Sequence, residues 1–171
     1  RPGLDVVPAG KPHTTELAML LQMRRATARS TEDISRVVNA LATSLAPIAE
    51  SYDVVLIDCP PKIEVLQEVA LGASRWLLIP THSDASSRKA VREIANRFTT
   101  AREYNETLDL LGVVLFGSTI GGTRLREQTF NEIAQDLGSR DRLFEAFIRF
   151  VEASAKQTRD TGTLVHELEL A

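Results

Sequence analysis

A chain of 171 residues with 43% hydrophobic content can bury one core, and with only 5% aromatics that core is built from Leu, Ile, Val and Ala. A formal charge of -3 excludes recognition of nucleic acid or an anionic membrane through overall charge, leaving only local patches for such a role. The lone Cys59 excludes an internal disulfide and fits a reducing, cytoplasmic setting, and no apolar run reaches the roughly 18 residues that span a bilayer.

Arg1-Pro2-Gly3 has neither a signal-peptide pattern nor an initiator methionine, which points to residues upstream. Leu4-Asp5-Val6-Val7-Pro8 reads as a short strand ended by Pro8 and Gly10. Good helix formers run from Thr14 to about Arg29, with Leu17, Leu20 and Leu21 as the buried face. A second helix starts near Ser30, which has capping-box spacing to Asp33. It carries Ile34, Val37, Val38, Leu41 and Leu45 at helical spacing and is ended or kinked by Pro47.

The period then changes. Val54-Val55-Leu56-Ile57 is apolar at consecutive positions, as in a strand covered on both faces of a parallel sheet. Trp76–Ile79, ended by Pro80, and Leu110–Phe116, ended by Gly117, repeat the pattern. Helices are predicted over Lys62–Leu71, over Ser86–Tyr104 with Val91, Ile94, Ala95 and Phe98 facing the sheet, and over Thr123–Leu137 with Phe130, Ile133 and Leu137 buried. A short strand over Leu143–Ile148 and a helix over Phe150–Asp160, stopped at Gly162, complete the chain. Strands alternating with helices imply βαβ units. The expectation is one α/β domain over residues 1–171, three-layered, with a mostly parallel sheet flanked by helices.

Ligands of open parallel sheets bind at the carboxyl ends of the strands, so the residues after each apolar run carry the chemistry. After the first run come Asp58-Cys59-Pro60-Pro61. A carboxylate there can hold a metal ion or its water, or it can simply accept backbone hydrogen bonds from the turn, and spacing leaves both open. His13, His82 and His166 have no metal-ligand spacing with each other or with Cys59.

Ser51-Tyr52-Asp53-Val54-Val55-Leu56-Ile57-Asp58-Cys59-Pro60-Pro61 resembles the Walker B segment of the ParA/MinD group of partition ATPases. Trp76-Leu77-Leu78-Ile79-Pro80 and Leu111-Gly112-Val113-Val114-Leu115 are similar to the next two strands of that group. Ile148-Arg149, Glu152-Ala153 and Gly162 resemble the segment that closes over the nucleotide base, and Leu4–Pro8 the strand before the helical insertion. The resemblance implies a P-loop NTPase fold of the deviant Walker A type, incomplete at its N-terminus. It implies ATP and Mg2+ as cofactors, a homodimer, non-specific DNA and a centromere-binding protein as partners, no membrane, and a role in segregating plasmid, chromosome or phage DNA.

Carried over by position, Asp58 would be catalytic and would orient the magnesium through water, and Pro60 and Pro61 would hold the loop after it. Phe116 and Gly117 fall where relatives meet the adenine edge, although a phenylalanine there suits stacking or core packing. Arg149 falls near the adenine or the dimer interface. Arg88, Lys89, Arg92, Arg97, Arg124 and Arg126 fall in the two regions that grip DNA phosphates in relatives; read from this sequence alone they are equally solvated helix faces.

One part of the pattern is missing. No glycine- and lysine-rich loop opens a helix here: Gly121-Gly122-Thr123 has no following lysine, and Gly10-Lys11-Pro12 has the wrong spacing. Without a phosphate cradle, these residues alone are expected not to hydrolyse ATP. The strand that feeds such a loop normally lies beside the one ending in Asp58, so its absence should bare apolar strand edges. A fragment of a longer enzyme, a strand supplied by another chain, and a rearranged sheet are the three ways out. A non-catalytic dimerisation or interaction module is the alternative function.

Overall fold

The structure is a computed structural model that describes residues 3–60, 63–82, 85–118, 123–149 and 152–162. Its elements are α1 (Lys11–Thr27), α2 (Thr31–Val38), α3 (Ala40–Ala49), α4 (Glu64–Ala73), β1 (Trp76–Thr81), α5 (Ala85–Ala101), β2 (Asp109–Ser118), α6 (Thr123–Leu137), β3 (Leu143–Arg149) and α7 (Glu152–Thr161). Helices flank a parallel three-stranded sheet of order β1-β2-β3, the α/β class expected of the sequence. The chain divides into two compact units, Arg1–Leu77 with Arg97–Asp109, and Leu78–Asn96 with Leu110–Ala171.

The first unit is largely helical. Pro12 stands in the opening turn of α1, where its missing N–H leaves no intrahelical bond unmade. Ala18 and Leu21 of α1 are buried with Val37, Val65, Leu66 and Val69, and Ala40, Leu41 and Ile63 pack against them. The expected inward face of α1 is therefore corrected by one step. Leu21 is buried, whereas Leu17 and Leu20 are about half exposed at 49% and 54%. Ser30 caps α2 by accepting from the Asp33 N–H at 3.1 Å. The Asp33 carboxylate in turn accepts from the Arg29 N–H at 3.1 Å. The single helix expected from Ser30 is broken at Asn39, and Pro47 is accommodated inside α3 instead of ending it. A smaller cluster of Leu71, Ala101 and Leu108 takes Leu77 and Phe98 against it, and the Asn105 amide donates to the carbonyls of Leu71 and Ser74, which ties the end of α4 to the turn after α5.

Two expected strands do not form. Leu4–Pro8 and Val54–Ile57 have no regular secondary structure, and among the described residues neither finds a ladder partner. A strand exists only where a neighbour accepts and donates its backbone hydrogen bonds, so apolar sequence alone does not make one. Val7 is 87% exposed and Leu56 90%. The Tyr52 hydroxyl donates to the Asp5 carboxylate at 2.6 Å and joins the two segments.

The second unit holds the sheet except for Trp76, Leu77 and Asp109. β2 and β3 run parallel, pairing Val113 with Leu143, Leu115 with Phe147 and Phe116 with Ile148, with register shifts between Val113 and Leu115 and between Phe116 and Ser118. β1 continues through Pro80 to Thr81, one residue beyond the expected stop. Ile79, Val91, Val113, Leu115, Phe130 and Ile133 are buried, which bears out the inward faces expected for α5 and α6 at Val91, Phe130 and Ile133.

Candidate nucleotide and DNA-facing site

Asp58 lies in the irregular stretch that follows Ile57 and is exposed. Beside it Cys59 is half buried. Burial first, and the Asp58 charge second, push its thiol pKa above the ordinary range. The Pro60 carbonyl accepts from the Gln67 side chain at 3.4 Å, anchoring the exit of this loop to α4. Pro61 lies outside the described residues.

At the carboxyl ends of the strands, β2 delivers Phe116 and Gly117, and β3 ends on Arg149, which is in register with Ser118. The Arg149 side chain lies outside the described residues. The exit of β1 contributes His82, which sequence reasoning set aside. Its ring meets that of Phe116 edge-on, with centroids 5.1 Å apart at 68°. Gly117 has φ of 71°, and a Cβ there would stand 2.8 Å from the His82 ring. The glycine is thus required twice, by a left-handed backbone and by the imidazole packed on it. Phe116 meets His82 and remains exposed. The available signal for His82 was its place, directly after the strand ending in Thr81.

Three of the six DNA candidates are held in ion pairs. Arg92 meets Asp136 at 2.7 Å, and the hydrogen bond to that carboxylate raises its pKa further. Arg97 meets Glu64 at 2.6 Å, and Lys89 lies 3.9 Å from Glu93. Arg124 is exposed at the start of α6. The side chains of Arg88 and Arg126 lie outside the described residues.

The described residues do not by themselves fit a magnesium nucleotide. Asp58 is a single exposed carboxylate, and among the described residues no group of three or more His, Cys, Asp or Glu is placed to hold a metal ion. The sequence carries no lysine-bearing glycine loop to neutralise phosphate charge. Among the described residues no helix is long and apolar enough to cross a membrane.

A family model described as AAA domain matches residues 5–110. The sporulation initiation inhibitor protein Soj of Bacillus subtilis is 26% identical over 145 residues, which cover 85% of this chain and 52% of Soj. The chromosome partitioning protein ParA of Caulobacter vibrioides is 27% identical over 174 residues, covering 99% of this chain and 60% of ParA. An uncharacterized Pseudomonas putida protein is 28% identical over 113 residues but is covered to only 39%. The chain thus spans about two-fifths to three-fifths of the length of these relatives. Among solved structures, an ATP complex of Cyanothece McdA is similar with a TM-score of 0.66 at 18% identity, covering 97% of this chain and 72% of McdA. Cobyrinic acid a,c-diamide synthase of Mycobacterium smegmatis, with bound ADP and magnesium, is similar with a TM-score of 0.62 at 18% identity, covering 87% of this chain and 61% of the synthase. Those two likenesses concern the fold. The match over residues 5–110 and the ordered motifs place the chain in the AAA domain family, as a ParA-like member of its partition ATPases.

Proposed function

We propose that this chain is the Walker B and base-closing portion of a ParA-like partition protein acting in DNA segregation, and that the phosphate cradle it works with is supplied by residues other than these 171. The observation that carries the reading is the bare Val54–Ile57 segment: a sequence built for a doubly covered strand ends at Asp58 and has no ladder partner. That is the state expected when the neighbouring, loop-bearing strand is not among the described residues. Complementation by such a strand would place Asp58 at a strand end, where an acidic side chain can hold a magnesium-bound water. In the assembled protein ATP would drive homodimerisation, the dimer would grip DNA non-specifically, and a centromere-binding partner would stimulate it. Residues 1–171 belong to one domain on this reading.

DNA contact then falls first to Arg124, because Arg92, Arg97 and Lys89 have their charges already matched by Asp136, Glu64 and Glu93. The same matched charges favour a second reading, a non-catalytic interaction module that keeps the fold and lacks the catalytic loop.

The test is titration of ATP with magnesium into the chain and into Asp58→Ala, read together with amide exchange at residues 54–57. The chain alone is expected to bind no nucleotide and to exchange these amides at nearly unprotected rates. Joined behind a segment bearing a glycine- and lysine-rich loop, it should gain both nucleotide affinity, weakened by Asp58→Ala, and protection at 54–57. Nucleotide binding by the chain alone would refute the reading. Protection without nucleotide binding would favour the interaction module.

A further inference from the structure

A helix that is apolar on opposite faces is one covered on two sides. α1 is such a helix. Its inner face, Ala18 and Leu21, is buried in the first unit, and Arg25 at the same side forms an ion pair with Glu68 at 3.0 Å. Its outer face repeats Leu17, Leu20 and Met23 at helical spacing, exposed by 49%, 54% and 57%. No described element lies over these three side chains to that extent, so they present an apolar stripe to solvent. Single exposed leucines are ordinary, but three in one row along two turns are a patch.

The stripe reads nearly the same in both directions about Leu20. Leu17 lies three residues before it and Met23 three after; Glu16 lies four before and Arg24 four after. All five side chains are exposed. A second copy laid antiparallel, with the two-fold axis at Leu20, brings Leu20 against its twin. It sets Leu17 level with Met23 and the Glu16 carboxylate level with the Arg24 guanidinium, at both ends. A parallel copy would instead set like charges level with each other. From this self-complementarity we infer that α1 is an isologous self-association surface, by which two copies of this chain pair antiparallel without nucleotide.

One helix of 17 residues is roughly 25 Å long, so the contact falls below the usual interface size of about 1,200–2,000 Å², and the dimer is weak and concentration-dependent. The inference is independent of the nucleotide-dependent pairing proposed above, because it uses neither Asp58 nor a phosphate cradle.

Sedimentation equilibrium of the 171-residue chain without nucleotide, from about 5 to 500 µM, tests it. Wild type is expected to pass from monomer to dimer across that range. Leu20→Glu should remain monomeric, with unchanged far-UV dichroism and thermal midpoint, since Leu20 is half exposed in the monomer. Glu16→Arg and Arg24→Glu should each weaken pairing roughly three- to tenfold, and the two together should restore it. A wild type that stays monomeric throughout overturns the inference, whether because another part of a longer chain or a different partner covers the stripe. So does association that Leu20→Glu leaves intact. Single charge variants that both weaken pairing, with no recovery in the double variant, overturn the antiparallel arrangement.

Discussion

Replacing Gly72 by alanine sets two effects of opposite sign against each other. Gly72 lies inside α4 and is buried, and in a helix interior alanine is favoured over glycine by about 1 kcal/mol. Propensity alone therefore predicts a more stable protein. The packing predicts the reverse, because α4 crosses the end of α2 at this glycine. An added Cβ would stand 2.8 Å from Val38 Cγ1 and 3.0 Å from the Val38 carbonyl carbon, and closer still to the carbonyl oxygen. The Val38 side chain could turn away, but its carbonyl is backbone at the end of a helix and cannot. The two helices must move apart, loosening the cluster that Val37 shares with Val65, Leu66 and Val69. Overpacking of this kind costs typically 1–3 kcal/mol, and more where backbone has to move. The net expectation is a loss of about 1–2 kcal/mol, seen as a lower urea midpoint by far-UV dichroism and a fall of about 2–8 °C in thermal midpoint. A variant as stable as wild type, or more stable, would refute the close α2–α4 crossing.

Two further predictions concern titrating groups. The Arg29 N–H and then Ser30 hydrogen-bond to Asp33 and hold its pKa below the ordinary 3.8, so its share of stability is complete above that value and is lost as pH falls through the depressed folded pKa. Asp33→Asn should therefore flatten the acid limb of the stability curve below about pH 4 while leaving the neutral region nearly parallel to wild type; an unchanged acid limb would refute the assignment. The raised pKa of Cys59 predicts slower alkylation by iodoacetamide at pH 8 than a free thiol shows. Asp58→Asn should speed that reaction only in part, because burial, the larger cause, remains.

Most of the second unit was legible because its periods are unambiguous. Leu110–Phe116 is too short for a buried helix and is flanked by Gly117, and Val91, Phe130 and Ile133 fall on single helical faces. The facing of α1 was not legible, for a physical reason. Leu17, Leu20, Leu21 and Met23 spread over nearly half of the helix circumference, so periodicity shows that it is apolar and not which part of that arc meets α2 and α4. The break at Asn39 was also hidden, because Leu41 and Leu45 continue the apolar spacing of α2 across it. At the site, the chain positions of Phe116, Gly117 and Arg149 at strand ends were readable. The contact that gives Gly117 its role, the His82 ring, is long-range and invisible to local pattern.

The basic residues show the same division. Arg88 to Arg126 could be counted from the sequence, yet their availability depends on partners far along the chain: Asp136 for Arg92 and Glu64 for Arg97. An exposed ion pair is worth little to stability, but while it lasts it lowers the local positive potential that a phosphate would feel. Composition thus overstates the basic surface by the two best-paired arginines. Val54–Ile57 carries the converse lesson. Its sequence is that of a buried central strand, but a strand is a property of at least two segments, and among the described residues no second segment pairs with it. The apolar side chains that would be covered in a complete sheet stand in solvent, with Leu56 at 90% exposure. On the proposed reading they would be covered by a neighbouring strand, the one that leads into the phosphate loop. Completing the sheet and completing the nucleotide site are therefore one event on the proposed reading.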